Sequence, residues 1–531
     1  MGPVNGKCGV YFTSFISVTL AFIAALWFRR VARNELPVMY DFDRKVLPYH
    51  PVASGYVNTH RHPDTTAVIL NWSRFPNVRS ISSSLCGPWL DTVISEVLIW
   101  NNSPRKLSYE DFEGTECERS QLRIYNSPTN VYFQARFMAC AEATTPYCFI
   151  QDDDYLVSSS VMHSLASRIA SFNHPHTIHL SPSHEHLSTS LREIHVPGRE
   201  GSYYHPSIHT SFAWLGYGTI LARSEALDFL DLMHHLNASD EEMKMADNYY
   251  TILSNRVPEV WFYQDIELGG GEPFTVGSEG HERNNKHILR AAEYLTSIVE
   301  SIASQSISKL PYVFLGNRDM SDPIFRAACR QISCVLETNI PLLPNGTTHS
   351  AQDAREILSV EKRNLEILGP NAQKSYIDHP LSMAVDGDFG TYFHSIRGAR
   401  VGDTITLDFF AEVRAPERRH LEMAWLVDTH TVQILRQSEF SSSLDGVNWH
   451  TEASKPTCRL VNVYTTIAQF TDEDVFECSV RFYNVTEVST RQTGCRLFRT
   501  TFTGSGRAGN TLRWKIYELW IRHEIADPLK D

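Results

Sequence analysis

The stretch Tyr147-Cys148-Phe149-Ile150-Gln151-Asp152-Asp153-Asp154 joins a short apolar run to three consecutive aspartates, here called the Asp triad. The apolar run has the length of a buried strand. Ligands of open α/β sheets bind outside the carboxyl ends of the strands, so the triad is expected at a ligand site. Adjacent carboxylates repel one another unless a cation or hydrogen-bond donors compensate them. A divalent cation that also binds phosphate would do so; an acidic turn facing water is the competing interpretation.

Short apolar runs alternate with helix-like stretches around the triad. Strands are predicted at residues 67–70, 97–100, 122–125 and 147–150, and helices at about 76–92 and 131–143. This alternation is typical of βαβ units and a largely parallel sheet. Polar residues follow Leu70, Trp100 and Ile150, and they are expected to share one edge of the sheet. Their Asn, Arg, Ser and Asp side chains suit a base, a ribose and a metal-bound diphosphate.

The length and charge of the chain exclude some classes of protein. With 531 residues the chain is too long for one hydrophobic core, and its 42% of hydrophobic residues indicates a globular protein. A net charge of −13 argues against a nucleic-acid binder, which would present a basic face.

Residues 8–28 carry no charge and are long enough to cross a bilayer. They predict a transmembrane helix within an anchor at residues 1–30, followed by a stem at residues 31–64. A signal peptide is the alternative, but it would have a shorter apolar region and a cationic segment before it. Arg29, Arg30 and Arg33 follow the helix, and by the positive-inside rule they favour a cytosolic location for the remaining chain.

The ten cysteines contain no CxxC pair, so a zinc-thiolate site is not expected. They permit a few disulfides without requiring them. Glycosylation sequons occur at Asn71, Asn101, Asn237, Asn345 and Asn484, which gives weak support to a secretory route.

Three motifs lie downstream of the triad. Residues 214–219 contain a glycine turn that would allow close approach of the backbone to a ligand. Asp247 is predicted to open a helix as its N-cap and to present a carboxylate to the cleft. Gly269 to Glu272 and residues 281–287 predict a flexible loop with cationic residues, of which Arg283 or Lys286 would neutralise a leaving diphosphate.

The segments at residues 67–78, 97–104, 130–136 and 149–154 resemble the glycosyltransferase domain at the carboxyl end of exostosins and exostosin-like proteins. The glycine turn and Asp247 follow in the order of that family. The resemblance covers about residues 65–300 and implies a GT-A fold, a nucleotide-sugar donor, Mn²⁺ or another divalent cation, and retention of anomeric configuration.

The resemblance also implies roles for individual residues. Asp154 and Asp152 would bind the metal, Asp152 would also meet the ribose, and Asp153 would lie near the donor sugar. Arg136 would face the donor, and Asp247 would act at the anomeric carbon or the acceptor hydroxyl. The remaining residues implied in nucleotide binding are Asn71, Arg74, Asn102 and Arg283.

Residues 309–375 contain Pro, Gly and Asn clusters that predict a linker. Beyond it, strands are predicted at residues 404–409, 432–435 and 514–521, with a polar turn at Ser441 to Ser443. Residues 384–393, 402–408 and 443–449 resemble a discoidin or coagulation-factor type C domain. This resemblance implies an all-β jelly-roll sandwich at residues 376–531 that binds glycans, and a purely structural β-domain is the alternative.

The sequence therefore predicts an α/β GT-A domain at residues 65–308, Rossmann-like in binding a nucleotide sugar, followed by a galactose-binding-like sandwich. The expected protein is a single-pass type II glycosyltransferase of the Golgi or endoplasmic reticulum membrane. It would transfer a hexosyl or N-acetylhexosaminyl group to a glycan or glycoprotein acceptor. A non-catalytic glycan-binding protein with the same fold is the alternative.

Overall fold

The computed structural model describes residues 39–41, 62–171, 175–198, 206–263, 266–270, 277–303, 310–316, 323–344, 351–413, 420–464, 474–482, 494–504 and 512–523. The predicted membrane helix at residues 8–28 lies outside these ranges. Within them, no helix has the length and apolar character that a membrane span needs.

The first half of the chain supplies most of the mixed α/β part of the molecule. Its strands are β1 (Met39–Asp41), β2 (Thr65–Asn71), β3 (Ile94–Asn101), β4 (Leu122–Asn126), β5 (Tyr147–Gln151), β6 (Tyr155–Leu156), β7 (Thr177–Ser181), β8 (Ile194–Val196), β9 (Ile208–Thr210), β10 (Thr219–Ala222), β11 (Glu259–Phe262) and β12 (Ile266–Glu267). The helices of this half are α1 (Phe75–Leu85), α2 (Gln134–Ala141), α3 (Ser159–Ile169), α4 (Ser183–Leu191), α5 (Arg223–His235), α6 (Asp240–Lys244), α7 (Asp247–Leu253) and α8 (Gly277–Ala303).

The four strands predicted up to the triad are present and parallel: β2 pairs with β3 and β5, and β3 pairs with β4. The residues of β2, β3 and β5 are largely buried, which is why these strands contain continuous apolar runs. Beyond β5 the sheet continues through the antiparallel strand β10 to β7 and β11, which are parallel to each other. The fold is therefore mixed α/β, with a large sheet that contains parallel strands.

The order of the strands creates a crevice beside the triad. The chain proceeds from β2 outward to β3 and β4, and then returns to place β5 on the other side of β2. Such a reversal is a topological switch point, where open α/β sheets bind their ligands. The residues after β2 and the Asp triad after β5 face each other across it.

The second half of the chain is mostly β-structure. Its strands are β13 (Phe325–Ala328), β14 (Val335–Thr338), β15 (Phe393–His394), β16 (Thr404–Val413), β17 (Leu421–Asp428), β18 (Ser438–Ser443), β19 (His450–Glu452), β20 (Thr457–Leu460), β21 (Asn462–Tyr464), β22 (Val475–Phe482), β23 (Cys495–Phe502) and β24 (Lys515–His523), and its helices are α9 (Ile357–Asp378) and α10 (Thr429–Arg436).

Two layers of antiparallel strands pack together in this half. A five-stranded sheet has the order β15-β24-β17-β22-β20, and β14, β16, β23, β18 and β19 continue the large sheet. Side chains from the two layers meet in one core, as in the contact of the Phe482 and Phe498 rings, whose centroids lie 5.1 Å apart. The region at residues 309–375, predicted as a linker, contains β13, β14 and α9. Through β13 and β14 the large sheet runs from one half of the chain to the other.

Two local predictions in this half are wrong. Residues 432–435, predicted as a strand, lie in α10, because Asp428 accepts a hydrogen bond from the backbone of Thr431 at 2.8 Å and starts a helix there. The β-branched residues of this segment suggested a strand, but its buried side chains have helical spacing. Ser441 to Ser443, predicted as a turn, are the last residues of β18, because they pair with β19 and β23.

Four disulfides occur in the described residues, at Cys86–Cys117, Cys140–Cys148, Cys329–Cys334 and Cys458–Cys478. The pair Cys140–Cys148 joins the end of α2 to the start of β5. These two elements carry Arg136 and lead into the Asp triad, so this disulfide constrains the part of the fold that positions the site.

Candidate functional site

The three carboxylates of the triad have different surroundings. Asp153 is nearly buried, with 11% of its side chain exposed. Asp152 and Asp154 are more open, with 31% and 28% of their side chains exposed. The chain thus presents two carboxylates to the crevice and holds a third beneath the surface.

Arg74 supplies positive charge from the opposite side of the crevice. It lies at the N-cap of α1, three residues after the end of β2. Its Nη1 atom is 2.8 Å from Asp153 Oδ1 and 3.3 Å from Asp154 Oδ2. Its Nε atom donates a hydrogen bond to the carbonyl of Gly270. One guanidinium therefore connects the triad to the glycine segment that follows β12.

Arg136 is the buried cation of the site. It is 1% exposed, and it forms ion pairs with Asp152 through Nη2 and with Asp247 through Nη1. Its guanidinium also lies over the ring of Phe133, 4.8 Å from the centroid. The prediction from the family resemblance had Arg136 facing the donor. The structure places it beneath the triad, where it joins α2, β5 and α7.

The glycine turn predicted at residues 216–219 packs directly against this ion pair. The Gly216 carbonyl accepts a hydrogen bond from the Asp152 backbone at 2.8 Å. A Cβ atom at residue 216 would lie 2.2 Å from Asp152 Oδ2 and 3.3 Å from Arg136 Nη2. Glycine is therefore required there so that the carboxylate can reach its guanidinium partner.

Asp247 does not cap its helix, so the N-cap prediction is wrong. The cap position is Ala246, and Asp247 is the first residue of α7. Its side chain turns inward to Arg136 and the residue is 1% exposed. The pairing with a buried guanidinium takes the carboxylate away from the helix end. Asp247 belongs to the site, and the contact that joins it to the triad is Arg136.

The two asparagines predicted to line a nucleotide are buried at the shared strand edge. Asn71 Nδ2 donates to Asn101 Oδ1 at 2.7 Å and connects the ends of β2 and β3. Asn102 Nδ2 donates to the Tyr132 carbonyl at 3.3 Å, and its Oδ1 accepts from the Val131 backbone at 3.3 Å. These contacts hold the loop that leads into α2. The expectation that the polar ends share one edge is confirmed.

The cationic residues after the glycine segment lie in a helix, so the prediction of a loop at residues 281–287 is wrong. Arg283 and Lys286 are in α8, which packs against α7. Lys286 Nζ pairs with Glu241 at 2.9 Å, with both side chains mostly exposed. The next residue, His287, is buried against Tyr249, and its Nδ1 atom lies 2.7 Å from the Tyr249 hydroxyl. This contact holds the segment against α7. A role for Arg283 toward a diphosphate stays a prediction.

Burial and the charge of Asp152 raise the pKa of two carboxylates of the triad, Asp153 and Asp154. Burial, followed by the charge of Asp152, raises the pKa of Asp154 from 3.8 to about 6, against the lowering effect of Arg74. Burial likewise raises the pKa of Asp153. These two carboxyl groups therefore hold a proton to higher pH than isolated aspartates do.

The chemistry of the donor set suits a divalent cation that is shared with a ligand. Asp154 Oδ1 is buried and has no hydrogen-bond partner among the described residues. The described residues contain no group of three acidic, histidine or cysteine side chains arranged to enclose a metal. Mg²⁺-type ions at nucleotide sites are bound by one or two carboxylates together with phosphates, so Asp152 and Asp154 meet that requirement.

Several residues of the site were not predicted from the sequence. Asn77, on the first turn of α1, donates to the Gly269 carbonyl at 2.7 Å, and Leu268 donates from its backbone to the Asp154 carbonyl at 2.8 Å. The Cys140–Cys148 disulfide fixes α2 against β5. The short spacing of these two cysteines was the one sequence signal available, whereas the Asn77 and Leu268 contacts depend on how distant segments meet.

No protein-family model and no curated protein matches the chain. A mannosyltransferase from Pyrobaculum calidifontis in complex with GDP-Man and Mn²⁺ is a similar solved structure, with 12% identity, 56% of this chain and 76% of that chain covered, and a TM-score of 0.29. TarS residues 1–349 from S. aureus covers 46% of this chain and 70% of its own at 10% identity, with a TM-score of 0.26.

A third similar structure is CpGH89CBM32-5 from Clostridium perfringens in complex with GalNAc-β-1,3-galactose. It covers 26% of this chain and 81% of its own at 14% identity, with a TM-score of 0.16. At these scores the likenesses identify neither the fold family nor the activity. The function of this chain follows from the chemistry of its own site.

The raised pKa of Asp154 predicts a pH-dependent effect of Asp154→Asn on stability. The folded-state pKa of about 6 exceeds the ordinary 3.8, so the folded protein is destabilised as pH rises through this window. Asparagine carries no charge and avoids this loss. We expect Asp154→Asn to raise the free energy of unfolding by about 1–2 kcal/mol at pH 7.5 and by less at pH 5.

Urea unfolding at the two pH values measures this difference, and Asp91→Asn, at an exposed position, is the control. An equal effect of Asp154→Asn at both pH values, or destabilisation at pH 7.5, would contradict the prediction.

The burial of Asp247 with Arg136 predicts that Asp247→Asn lowers stability. Removing one charge of a buried ion pair leaves the guanidinium incompletely compensated, so we expect a loss of about 3 kcal/mol in the free energy of unfolding. Urea denaturation measures it, with Asp240→Asn at the exposed first turn of α6 as the control. An unchanged unfolding midpoint would show that the Asp247–Arg136 contact contributes nothing to stability.

Proposed function

We propose that this protein is a glycosyltransferase of the GT-A type. It would transfer a hexosyl or N-acetylhexosaminyl group from a nucleotide sugar to a glycan or glycoprotein acceptor, with retention of anomeric configuration. Mn²⁺ or another divalent cation would serve as cofactor. The class of reaction rests on the site, and the exostosin-like resemblance supports the choice of donor and fold.

One observation carries the proposal. Two partly exposed carboxylates, Asp152 and Asp154, lie at the topological switch point of the parallel strands β2 to β5, and Asp154 keeps a buried oxygen without a hydrogen-bond partner among the described residues. Four carboxylates and two guanidinium groups meet there, at Asp152, Asp153, Asp154, Asp247, Arg74 and Arg136. The excess of negative charge is what a divalent cation compensates.

The chemistry of sugar transfer fits this arrangement of charge. Departure of a nucleoside diphosphate builds negative charge, and the sugar becomes positive as the bond to its anomeric carbon breaks. A bound divalent cation would stabilise the leaving diphosphate. Asp153 would lie near the sugar, and Arg74 is close enough to the crevice to bind a phosphate oxygen. Arg136 and Asp247 act as positioning residues, because they are buried and hold Asp152 in place.

The second half of the chain is proposed to be a glycan-binding module. Its two packed antiparallel layers are compatible with a galactose-binding-like jelly-roll sandwich, and the discoidin-like segments support this choice. The division into a transferase domain at residues 65–308 and a sandwich at residues 376–531 is part of the proposal. Such a module would increase the residence of the enzyme on a glycan acceptor.

A lumenal location in the Golgi or endoplasmic reticulum, with single-pass type II topology, is also proposed. Four disulfides in the described residues support it, because disulfides persist in oxidising compartments. The uncharged segment at residues 8–28 would form the membrane anchor. The arginines after this segment oppose this orientation, so topology needs a direct test.

Turnover of a nucleotide sugar separates an enzyme from a glycan-binding protein. We expect the protein to hydrolyse or transfer one donor from a panel of UDP- and GDP-sugars in the presence of Mn²⁺, and Asp154→Asn to lower that rate about a hundredfold or more, which is roughly 2.7 kcal/mol of barrier. Asp91→Asn, far from the triad in sequence and exposed, should retain the wild-type rate. Glycan binding without turnover of any donor would favour the non-catalytic alternative.

The sequons predict which asparagine carries a glycan if the protein is lumenal. Asn71 and Asn101 are 2% and 0% exposed and hydrogen-bond each other, so they are inaccessible in the folded protein. Asn237 is exposed in the turn between α5 and α6. We expect glycosidase treatment to increase electrophoretic mobility, and Asn237→Gln to reduce that change. Complete protease sensitivity in sealed microsomes would place the protein on the cytosolic side instead.

A further inference from the structure

Arg74 has a position that its local structure does not favour. It stands at the N-terminus of α1, where the helix dipole disfavours a cation. Its side chain nevertheless turns to Asp153 and Asp154, at 2.8 and 3.3 Å, and is mostly buried, with 12% of its side chain exposed. The carboxylates must therefore stabilise it by more than the helix end opposes it.

The guanidinium lies against Asp154, one of the two carboxylates that a metal would need. The Asp154 side chain is 28% exposed, its buried Oδ1 has no hydrogen-bond partner among the described residues, and its Oδ2 is the oxygen nearest to Arg74. A cation bound to Asp154 would be repelled by a guanidinium at this distance. Binding of a divalent ion and retention of Arg74 on Asp154 therefore oppose each other.

Arg74 also has a route to a second partner. Its Nε atom binds the carbonyl of Gly270, and Asn77 on the same helix binds the carbonyl of Gly269. The φ angle is 64° at Gly269 and 81° at Gly270, and a Cβ atom at either residue would meet no described atom within 4 Å. Among the described residues, no atom occupies the place that a side chain of either glycine would take, so an anion would fit there beside the guanidinium.

We propose that Arg74 is a counter-ion of the Asp triad. Its guanidinium weakens binding of the metal alone, and it moves from the triad to the diphosphate when a nucleotide binds together with the metal. This inference rests on the proposed function and adds that the metal binds more readily together with the nucleotide than alone. Arg74 is then a positioning residue with opposite effects on the two ligands. It lowers affinity for the free metal ion and raises affinity for the nucleoside diphosphate.

Opposite effects on two ligands distinguish this role from a structural one. In Arg74→Gln, we expect the Kd for Mn²⁺ alone to fall about tenfold, because a positive charge near the triad is lost. The Kd for UDP or GDP measured with saturating Mn²⁺ should rise about tenfold, because a charge-assisted contact to phosphate is lost. A variant that merely disturbs the fold would weaken both ligands.

The experiment uses the full chain at pH 8. Electron paramagnetic resonance of free Mn²⁺ gives metal binding, and calorimetry gives nucleotide binding. Arg79→Gln is the matched control, because Arg79 lies on the same helix and contacts the carbonyl of Glu113 instead. Arg74→Lys keeps the charge and should bind Mn²⁺ as the wild type does.

The outcomes separate this inference from the proposed function. Tighter Mn²⁺ binding together with weaker nucleotide binding in Arg74→Gln supports the counter-ion role. If the wild type binds both ligands and Arg74→Gln weakens both or changes neither, the counter-ion role is wrong while the proposed function stands. If neither the wild type nor Arg74→Gln binds Mn²⁺ or a nucleoside diphosphate, the site is not a nucleotide-sugar site and both proposals fail.

Discussion

The site depends on the buried guanidinium of Arg136. It joins the first residue of α7 to Asp152 of the triad, so that α2, α7 and the end of β5 are fixed relative to one another. Its burial is tolerable only because two carboxylates compensate its charge. The same contact explains why residue 216 is glycine, since a larger side chain would displace Asp152. Asp152, one of the two partly exposed carboxylates of the triad, is thereby held by a buried group.

The balance of charge distinguishes this cluster from a purely structural ion-pair network. A network that serves stability alone is best satisfied when every charge has a partner, because an uncompensated buried charge costs several kcal/mol, on the order of 3–5. Here an oxygen of Asp154 has no hydrogen-bond partner among the described residues and the pKa of that residue is raised to about 6. Perturbed groups of this kind concentrate at functional sites, where a ligand supplies the missing partner.

The large sheet connects the site to the second half of the chain. Strands β11, β13, β14 and β16 are consecutive neighbours in it, so the mixed α/β half and the β-rich half share hydrogen bonds. Movement between them would break main-chain ladders, which a flexible linker would not require. A glycan bound by the second half would therefore be presented to the crevice in a restricted orientation.

The sequence by itself determined the parallel strands β2 to β5, the shared edge at which they end, and the place of the Asp triad on it. These features follow from apolar runs and polar ends that can be read locally. Tertiary structure decided that residues 432–435 form a helix and that residues 281–287 do so too. It also decided that Asp247 pairs with Arg136 and does not cap α7. Each of these outcomes depends on burial against residues distant in sequence, and no local pattern records which charges will meet in the folded chain.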